Sequence, residues 1–309
     1  MKNYEKKLLL VGDNPFHGIS HLSQDRARMR DDQINQTDYA TNLVLTSLEN
    51  GANGFMFSVS ETTLSILKKV SDNRVNEPPA LYAIVPYAYE YVRTATHLGT
   101  VGLAKTIGKQ IILSKNLKAI FTGLKGILTF NPETIMKTYL FYEISRITAS
   151  AGKRANLKSI LLHEVITDMI IALDLKQIVR SYVDFLSKLE ISPGFETRNF
   201  PYLVHKLREW NIDFSQITIT TAFNKVGFIM NPSQKECEDT LDEIPECKVI
   251  AMSPLAAGYI KLPEAADYIK SLPNIKGVVA GVSKEKHATE TFKLLKERLE
   301  QNCSNNNRQ

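Results

Sequence analysis

The stretch Val249-Ile-Ala-Met-Ser-Pro-Leu-Ala-Ala-Gly258 and the later stretch Gly277-Val-Val-Ala-Gly-Val-Ser-Lys-Glu-Lys-His-Ala-Thr-Glu290 share one organisation. Each is a short apolar run that gives way to small residues and then to a helical pattern. This order predicts two neighbouring strands whose C-terminal ends open onto loops with exposed backbone N–H groups. In a parallel α/β barrel, such loops are where an anionic ligand binds.

Apolar runs that are typical of buried parallel strands recur along the whole chain, with helical patterns between them. They lie around 7–12, 53–58, 80–86, 157–162, 190–194, 216–221, 247–252 and 276–280. Asn199-Phe-Pro201 and Asn231-Pro-Ser233 are typical helix starts. We therefore predict a (β/α)8 TIM barrel, of the α/β class, in one domain over residues 1–301, with a polar tail over 302–309. An open doubly wound sheet is the alternative, but the chain has no early Gly-x-Gly-x-x-Gly turn.

The composition agrees with one large domain. Of the 309 residues, 43% are hydrophobic, which is enough to bury a full core. The three cysteines have no metal-ligand spacing and indicate reduced, structural thiols. The N-terminal apolar run is too short for a signal peptide, and no run approaches the ~20 residues that cross a bilayer. We expect a cytoplasmic protein.

The net charge of +5 is concentrated in one segment. Residues 91–132 contain Arg93 and five lysines but no Asp or Glu, so the rest of the chain is close to neutral. The pattern over 89–131 predicts a basic helical insert after the third strand. A lid over the pocket, an oligomer contact and a membrane-surface helix are the alternatives, in that order of preference. The insert has few stacking aromatics, so nucleic-acid binding is not expected.

The two opening stretches resemble the end of the aldo-keto reductase family, in which the corresponding loops hold the phosphates of NADP. Three more segments follow in the family's order: Leu161-Leu-His163, the stretch from Asn199 to Leu207, and Thr220-Thr-Ala-Phe-Asn224. The resemblance covers most of residues 7–296 and is weak between 89 and 150. It implies a TIM barrel and an NADP-dependent oxidoreductase.

The resemblance also implies a set of cofactor-binding residues. They are Ser253, Leu255 and Gly258 after the seventh strand, Ser283, Lys284 and His287 after the eighth, and Asn224 after the sixth. The last turn resembles the family's 2′-phosphate site, where helix N–H groups and a Lys suit a phosphate dianion. The Arg expected a few residues further on is absent. A helix cap followed by a solvated basic turn is the structural alternative.

The family's catalytic tetrad is mostly missing. Met56 stands near the position of the catalytic Asp, no Tyr occurs in the segment before Glu61, and Tyr87 lies near the end of the third strand where a Lys is expected. His163 matches the substrate-orienting His. Tyr87 and Tyr89 are candidates for a replacement proton donor, although tyrosines at a pocket rim also serve in packing.

Other polar residues follow predicted strands and are candidates for chemistry. Asp13 and His17 lie in a polar loop after the first strand, Glu164 follows His163, and Glu196 follows the fifth strand. Such residues serve as general acids, general bases or ligands of a divalent metal ion. A loop carboxylate that accepts backbone N–H bonds and a packed imidazole are the structural alternatives for Asp13 and His17.

Three functions are compatible with these residues. The first is a divergent NADP-dependent oxidoreductase that uses another acid. The second is an isomerase, lyase or hydrolase, metal-assisted or not, that acts on a phosphorylated small molecule. The third is a non-catalytic binding barrel. We favour the first, with a small-molecule substrate, and the sequence leaves the oligomeric state open.

Overall fold

The computed structural model describes residues 7–17, 37–73, 77–86 and 131–300. Eight parallel strands close into a barrel in chain order. They are β1 (Leu8–Gly12), β2 (Gly54–Ser58), β3 (Ala80–Val85), β4 (Leu157–Leu162), β5 (Ser192–Glu196), β6 (Thr218–Ala222), β7 (Lys248–Met252) and β8 (Ile275–Gly281). The pairing of Leu10 with Val279 belongs to the β1–β8 seam that closes the barrel. The predicted TIM barrel is confirmed, and the open sheet is excluded.

Nine α-helices lie within the described ranges. They are α1 (Thr37–Glu49), α2 (Glu61–Asp72), α3 (Pro132–Ala151), α4 (Glu164–Ala172), α5 (Lys176–Ser187), α6 (Phe200–Glu209), α7 (Gln234–Asp242), α8 (Leu262–Ser271) and α9 (Glu285–Glu300). Helix α9 packs on both α8 and α1, so the outer helical layer closes at the same place as the barrel. The predicted helix starts near Asn199 and Ser233 are confirmed, since α6 begins at Phe200 and α7 at Gln234.

The core has two layers because alternate strand residues point to opposite faces. The outward residues pack against the helices. The inward residues form a separate cluster inside the barrel: Leu10, Met56, Ala80, Tyr82, Ile84, Leu161, Ile250 and Val279. On β5, a Cβ at Gly194 would lie 2.4 Å from Leu161 Cδ2 and 2.8 Å from Ser159 Oγ. Gly194 therefore faces the barrel interior, where glycine alone leaves room for its neighbours.

Two strands begin later than the sequence indicated. Strand β5 begins at Ser192 and not at 190, because Glu190 takes a left-handed φ of 58° and the N–H of Ile191 donates to Leu186 O in a turn. Strand β6 begins at Thr218 and not at 216, because Phe214–Gln216 forms a 3₁₀-helix. As a consequence, Glu196 is the last residue of β5 and not a loop residue after it.

Some of the sequence predictions fall outside the described residues. They concern Tyr87 and Tyr89, the tail over 302–309, and the insert over 89–131 except for Asn131, which caps α3 through its side chain. Within the described ranges, no helix combines the length and the apolar character that a membrane crossing requires.

Candidate active site at the C-terminal mouth of the barrel

Asp13 and His17 come together in the loop after β1. Asp13 is buried, and its Oδ2 accepts the N–H of Ser58 at 2.7 Å while lying 3.0 Å from His17 Nε2. The 3₁₀ turn Asn14–His17 sets this spacing. The Asp13 carboxylate therefore links the loop after β1 to β2 by accepting a backbone N–H, which is the structural alternative given for it above. It also orients the His17 imidazole. A buried carboxylate that fixes an imidazole is an arrangement found in general bases.

His163 directly follows β4 and caps α4. Its Nδ1 accepts the N–H of Val165 at 3.2 Å, so the proton of the neutral ring is on Nε2. Burial lowers the pKa of His163 below 6.5, Arg198 adds to this effect, and Glu164 opposes it. The imidazole is therefore neutral at pH 7. Its Nε2–H is a donor suited to a substrate oxygen, which is the role that the family resemblance implied.

Glu196 ends β5 two residues after Gly194 and on the same inward face. Its side chain is buried, and Oε2 accepts the N–H of Glu164 at 3.2 Å. Burial, followed by the charges of Glu164 and Asp13, raises the pKa of Glu196 to about 8. The carboxyl group is therefore mostly protonated at neutral pH and able to donate a proton.

Glu164 is committed to an ion pair. Its Oε1 lies 2.6 Å from Arg198 Nη2, and this hydrogen bond is the main cause of the raised pKa of Arg198. Asp168, on α4, accepts the hydroxyl of Thr197 at 2.6 Å and the N–H of Arg198 at 3.4 Å. These contacts hold the loop after β5 against α4. Glu164 therefore affects the site through its negative charge, which raises the pKa values of His163 and Glu196.

Thr220 lies inside the barrel beside Glu196. The two residues are paired in register on β5 and β6, so their side chains share the inward face. Thr220 is fully buried, and within the described ranges its hydroxyl has no hydrogen-bond partner. Thr220 was not among the candidate site residues predicted from the sequence, and Glu196 was predicted to follow its strand. Gly194 and Glu196 are two residues apart on β5 and therefore point to the same face of the sheet. This spacing is the sequence signal that predicts a Glu196 carboxyl facing the barrel interior.

The turn after β7 contains Ser253, Leu255 and Gly258. Left-handed backbone recurs here, with φ of 50° at Ser253, 44° at Ala256, 57° at Ala257 and 91° at Gly258. The N–H groups of Ala256 and Gly258 donate to Ser253 O and Leu255 O. The turn is therefore tight, and the N–H of Gly258 is used within it.

The turn after β8 presents an anion-compatible surface. Ser283 is half-buried, and its carbonyl accepts the hydroxyl of Tyr39 at 3.3 Å. Lys284 and His287 are exposed around the start of α9, and neither forms a salt bridge to any residue that the structure describes. A helix N-terminus, a lysine and an imidazole suit a phosphate group. Binding of a cofactor phosphate at this turn stays a prediction.

Asn224 is buried after β6, where its amide closes a loop. Its Nδ2 donates to Phe228 O and its Oδ1 accepts the N–H of Phe228, both at 2.8 Å. A direct contact between Asn224 and nicotinamide stays a prediction. In the described part of the chain, no group of three or more His, Cys, Asp or Glu side chains is placed to hold a metal ion.

The barrel matches solved structures of aldo-keto reductases. MGS-M4, an aldo-keto reductase from a Medee basin deep-sea metagenome library, matches with a TM-score of 0.53 and 10% identity over 96% of this chain and 90% of that chain. Two structures from Pseudomonas aeruginosa, both assigned to the aldo-keto reductases, match with TM-scores of 0.56 and identities of 10% and 11%, over 94% of this chain and 90% of theirs. The chain has an aldo-keto reductase-like fold. The resemblance inferred from the sequence is confirmed at this level.

No protein-family model and no curated protein sequence matches the chain. The aldo-keto reductase-like fold sets where an active site lies, at the C-terminal ends of the strands. Chemistry does not follow from the fold alone. The candidate chemistry rests on the side chains of Asp13, His17, His163 and Glu196.

Proposed function

We propose that this aldo-keto reductase-like barrel is an oxidoreductase that binds NADP(H) at the loops after β7 and β8 and reduces a carbonyl group. The observation that carries the proposal is the buried Glu196 carboxyl, which accepts the N–H of Glu164, the residue after His163, and has a pKa raised to about 8. Carbonyl reduction requires an acid at the carbonyl oxygen. In this proposal, protonated Glu196 replaces the missing catalytic Tyr.

A nicotinamide held by these loops would supply the hydride that carbonyl reduction requires. His163 orients the carbonyl oxygen through its Nε2–H, and Glu196 gives its proton to that oxygen as negative charge develops. The Glu196 carboxylate keeps the hydrogen bond from the Glu164 N–H. It then regains a proton from water, so the acid is restored for the next turnover.

The loops after β7 and β8 would hold the phosphates of the cofactor. In this proposal Lys284 and His287 bind the 2′-phosphate at the start of α9. The tight turn from Ser253 to Gly258 would line the same cofactor site. Both loops follow neighbouring strands, β7 and β8, which supports one continuous ligand site.

A second candidate is an isomerase or lyase that acts on a phosphorylated small molecule. The pair of His17 and Asp13 favours it, because an imidazole oriented by a buried carboxylate is suited to proton abstraction. The charge of Asp13 acts on Glu196, so the base and the acid belong to the same mouth. Two groups with opposite proton-transfer roles are what an isomerase needs.

The test is NADPH oxidation in the presence of a panel of aldehydes and ketones, with Glu196→Gln and Glu196→Asp variants. We expect Glu196→Gln to lower kcat by about 10² to 10⁴-fold, the usual contribution of a general acid, and to leave NADPH affinity unchanged. Activity should fall as the pH rises through about 8, where Glu196 ionises. Glu49→Gln, a change at an exposed residue of α1, is the control. Wild-type kcat in Glu196→Gln would refute the assigned role.

The same panel separates the two candidates. NADPH binding and oxidation support the oxidoreductase. Binding of phosphorylated sugars or triose phosphates without any NADPH binding would favour the isomerase or lyase.

A further inference from the structure

The Thr220 hydroxyl is a buried polar group that packing of the barrel does not explain. It faces the barrel interior on β6, its side chain is fully buried, and within the described ranges it has no hydrogen-bond partner. A buried hydroxyl without a partner lowers stability, and valine has nearly the same shape without that cost. The hydroxyl therefore calls for a role other than packing.

One register neighbour of Thr220 can accept a hydrogen bond from it through its side chain. Thr220 pairs with Glu196 on β5 and with Ile250 on β7, and isoleucine has no polar side-chain atom. On the same face of β6, Thr218 already contacts another side chain, and Ala222 has no polar side-chain atom. Glu196 is therefore the acceptor among these neighbours.

The charge state of Glu196 decides how strongly it attracts this hydroxyl. Its Oε2 accepts the N–H of Glu164. Once the buried carboxyl ionises, the charges of Glu164 and Asp13 disfavour the carboxylate, and Arg198 favours it. A buried carboxylate needs further donors, and a hydrogen bond to an ionised oxygen is about twice as strong as a neutral one. The Thr220 hydroxyl is such a donor.

We propose that Thr220 is a positioning residue whose hydroxyl donates a hydrogen bond to the Glu196 carboxylate that proton transfer leaves behind. The inference rests on the proposed function, in which Glu196 gives its proton to the substrate carbonyl oxygen. In that step the O–H bond of Glu196 breaks, an O–H bond forms on the substrate, and Thr220 keeps its own proton. The hydroxyl thus stabilises the product side of the transfer and makes Glu196 a stronger acid.

The first experiment uses neither cofactor nor substrate. Carbon-13 NMR of the full-length, glutamate-labelled protein follows the Glu196 carboxyl from pH 5 to pH 10, and Glu196→Gln assigns its signal. We expect Thr220→Val to raise the midpoint by about one pH unit, a tenfold weaker acid. Thr220→Ser keeps a hydroxyl and should restore the wild-type midpoint. Thr221→Val, on the outward face of β6, is the matched control and should leave the midpoint unchanged. An unchanged midpoint in Thr220→Val would overturn the proposal.

A thermodynamic cycle separates this role from packing. Urea unfolding should show that Thr220→Val stabilises the protein at pH 6, where Glu196 is protonated, and that the gain shrinks or reverses at pH 9.5, where the wild-type carboxylate has the hydrogen bond. In a Glu196→Gln background the same substitution should have one effect at both pH values. An effect of Thr220→Val that is independent of pH in both backgrounds would overturn the proposal.

The activity assay tells a failure of this inference from a failure of the proposed function. In NADPH oxidation with a carbonyl substrate, Thr220→Val should lower kcat by up to about tenfold, leave KM unchanged and move the pH at which activity falls upward with the Glu196 midpoint. Wild-type kcat and pH profile in this variant would overturn the positioning role. A wild-type protein that does not oxidise NADPH would contradict the proposed function, whereas the NMR midpoint would still decide whether Thr220 bonds to Glu196.

Discussion

Replacing Glu196 by Gln should remove a large pH dependence of stability. Folding raises the pKa of this buried carboxyl from its usual 4.5 to about 8. Between these values the folded protein holds a proton that the unfolded chain has released. The free energy of unfolding therefore falls as pH rises through this window, and the stabilisation is fully present only below pH 4.5. The pKa difference corresponds to about 5 kcal/mol.

The assay is urea unfolding of the wild-type protein and Glu196→Gln from pH 5 to pH 9. Gln is neutral, nearly isosteric, and keeps an oxygen that accepts the N–H of Glu164. The two proteins should have similar stability near pH 5, and the variant should be several kcal/mol more stable at pH 9, since other titrating groups cancel in the difference. Glu49→Gln should follow the wild-type curve. Parallel curves for Glu196→Gln and wild type would refute a protonated Glu196.

Three further substitutions follow from the packing and hydrogen bonds. Gly194→Ala places a Cβ 2.4 Å from Leu161 Cδ2, so it should lower the melting temperature, with a loss of about 1–3 kcal/mol measured by calorimetry. Thr220→Val removes a buried hydroxyl without a partner and should raise the free energy of unfolding by about 1 kcal/mol; a clear loss would contradict the unpaired hydroxyl. Asp13→Asn weakens the hydrogen bond from the Ser58 N–H and should cost about 1–3 kcal/mol in urea, and unchanged stability would show that this contact is not important.

Most of the barrel was predictable from the sequence because parallel strands buried on both faces are continuous apolar runs. Strands β5 and β6 both began later than predicted. For β5 the reason is that its first residues, Ser192-Pro-Gly, carry no apolar signal, whereas Ile191 in the preceding turn is apolar. The prediction therefore began two residues early. That shift moved Glu196 out of the strand and obscured the fact that it faces the interior.

Residues of the candidate site could be predicted from the sequence only where the end of a strand fixes their position. Asp13, His17 and His163 lie at the mouth because each follows a strand end. The pairing of Glu164 with Arg198 depends on the loop after β5, which no local pattern reveals. The hydrogen bonds between the Asn224 amide and the Phe228 backbone likewise cannot be predicted from a local sequence pattern.

The most direct test of the proposed function is a calorimetric titration of the metal-stripped protein with NADPH and NADH, repeated with Lys284→Gln. We predict saturable binding that favours NADPH, loss of that preference in Lys284→Gln, and about 2.7 kcal/mol of added folding stability at 100 times the dissociation constant. No saturable binding of either nucleotide, and no stabilisation, would contradict the oxidoreductase and leave phosphorylated small molecules as the ligands to test.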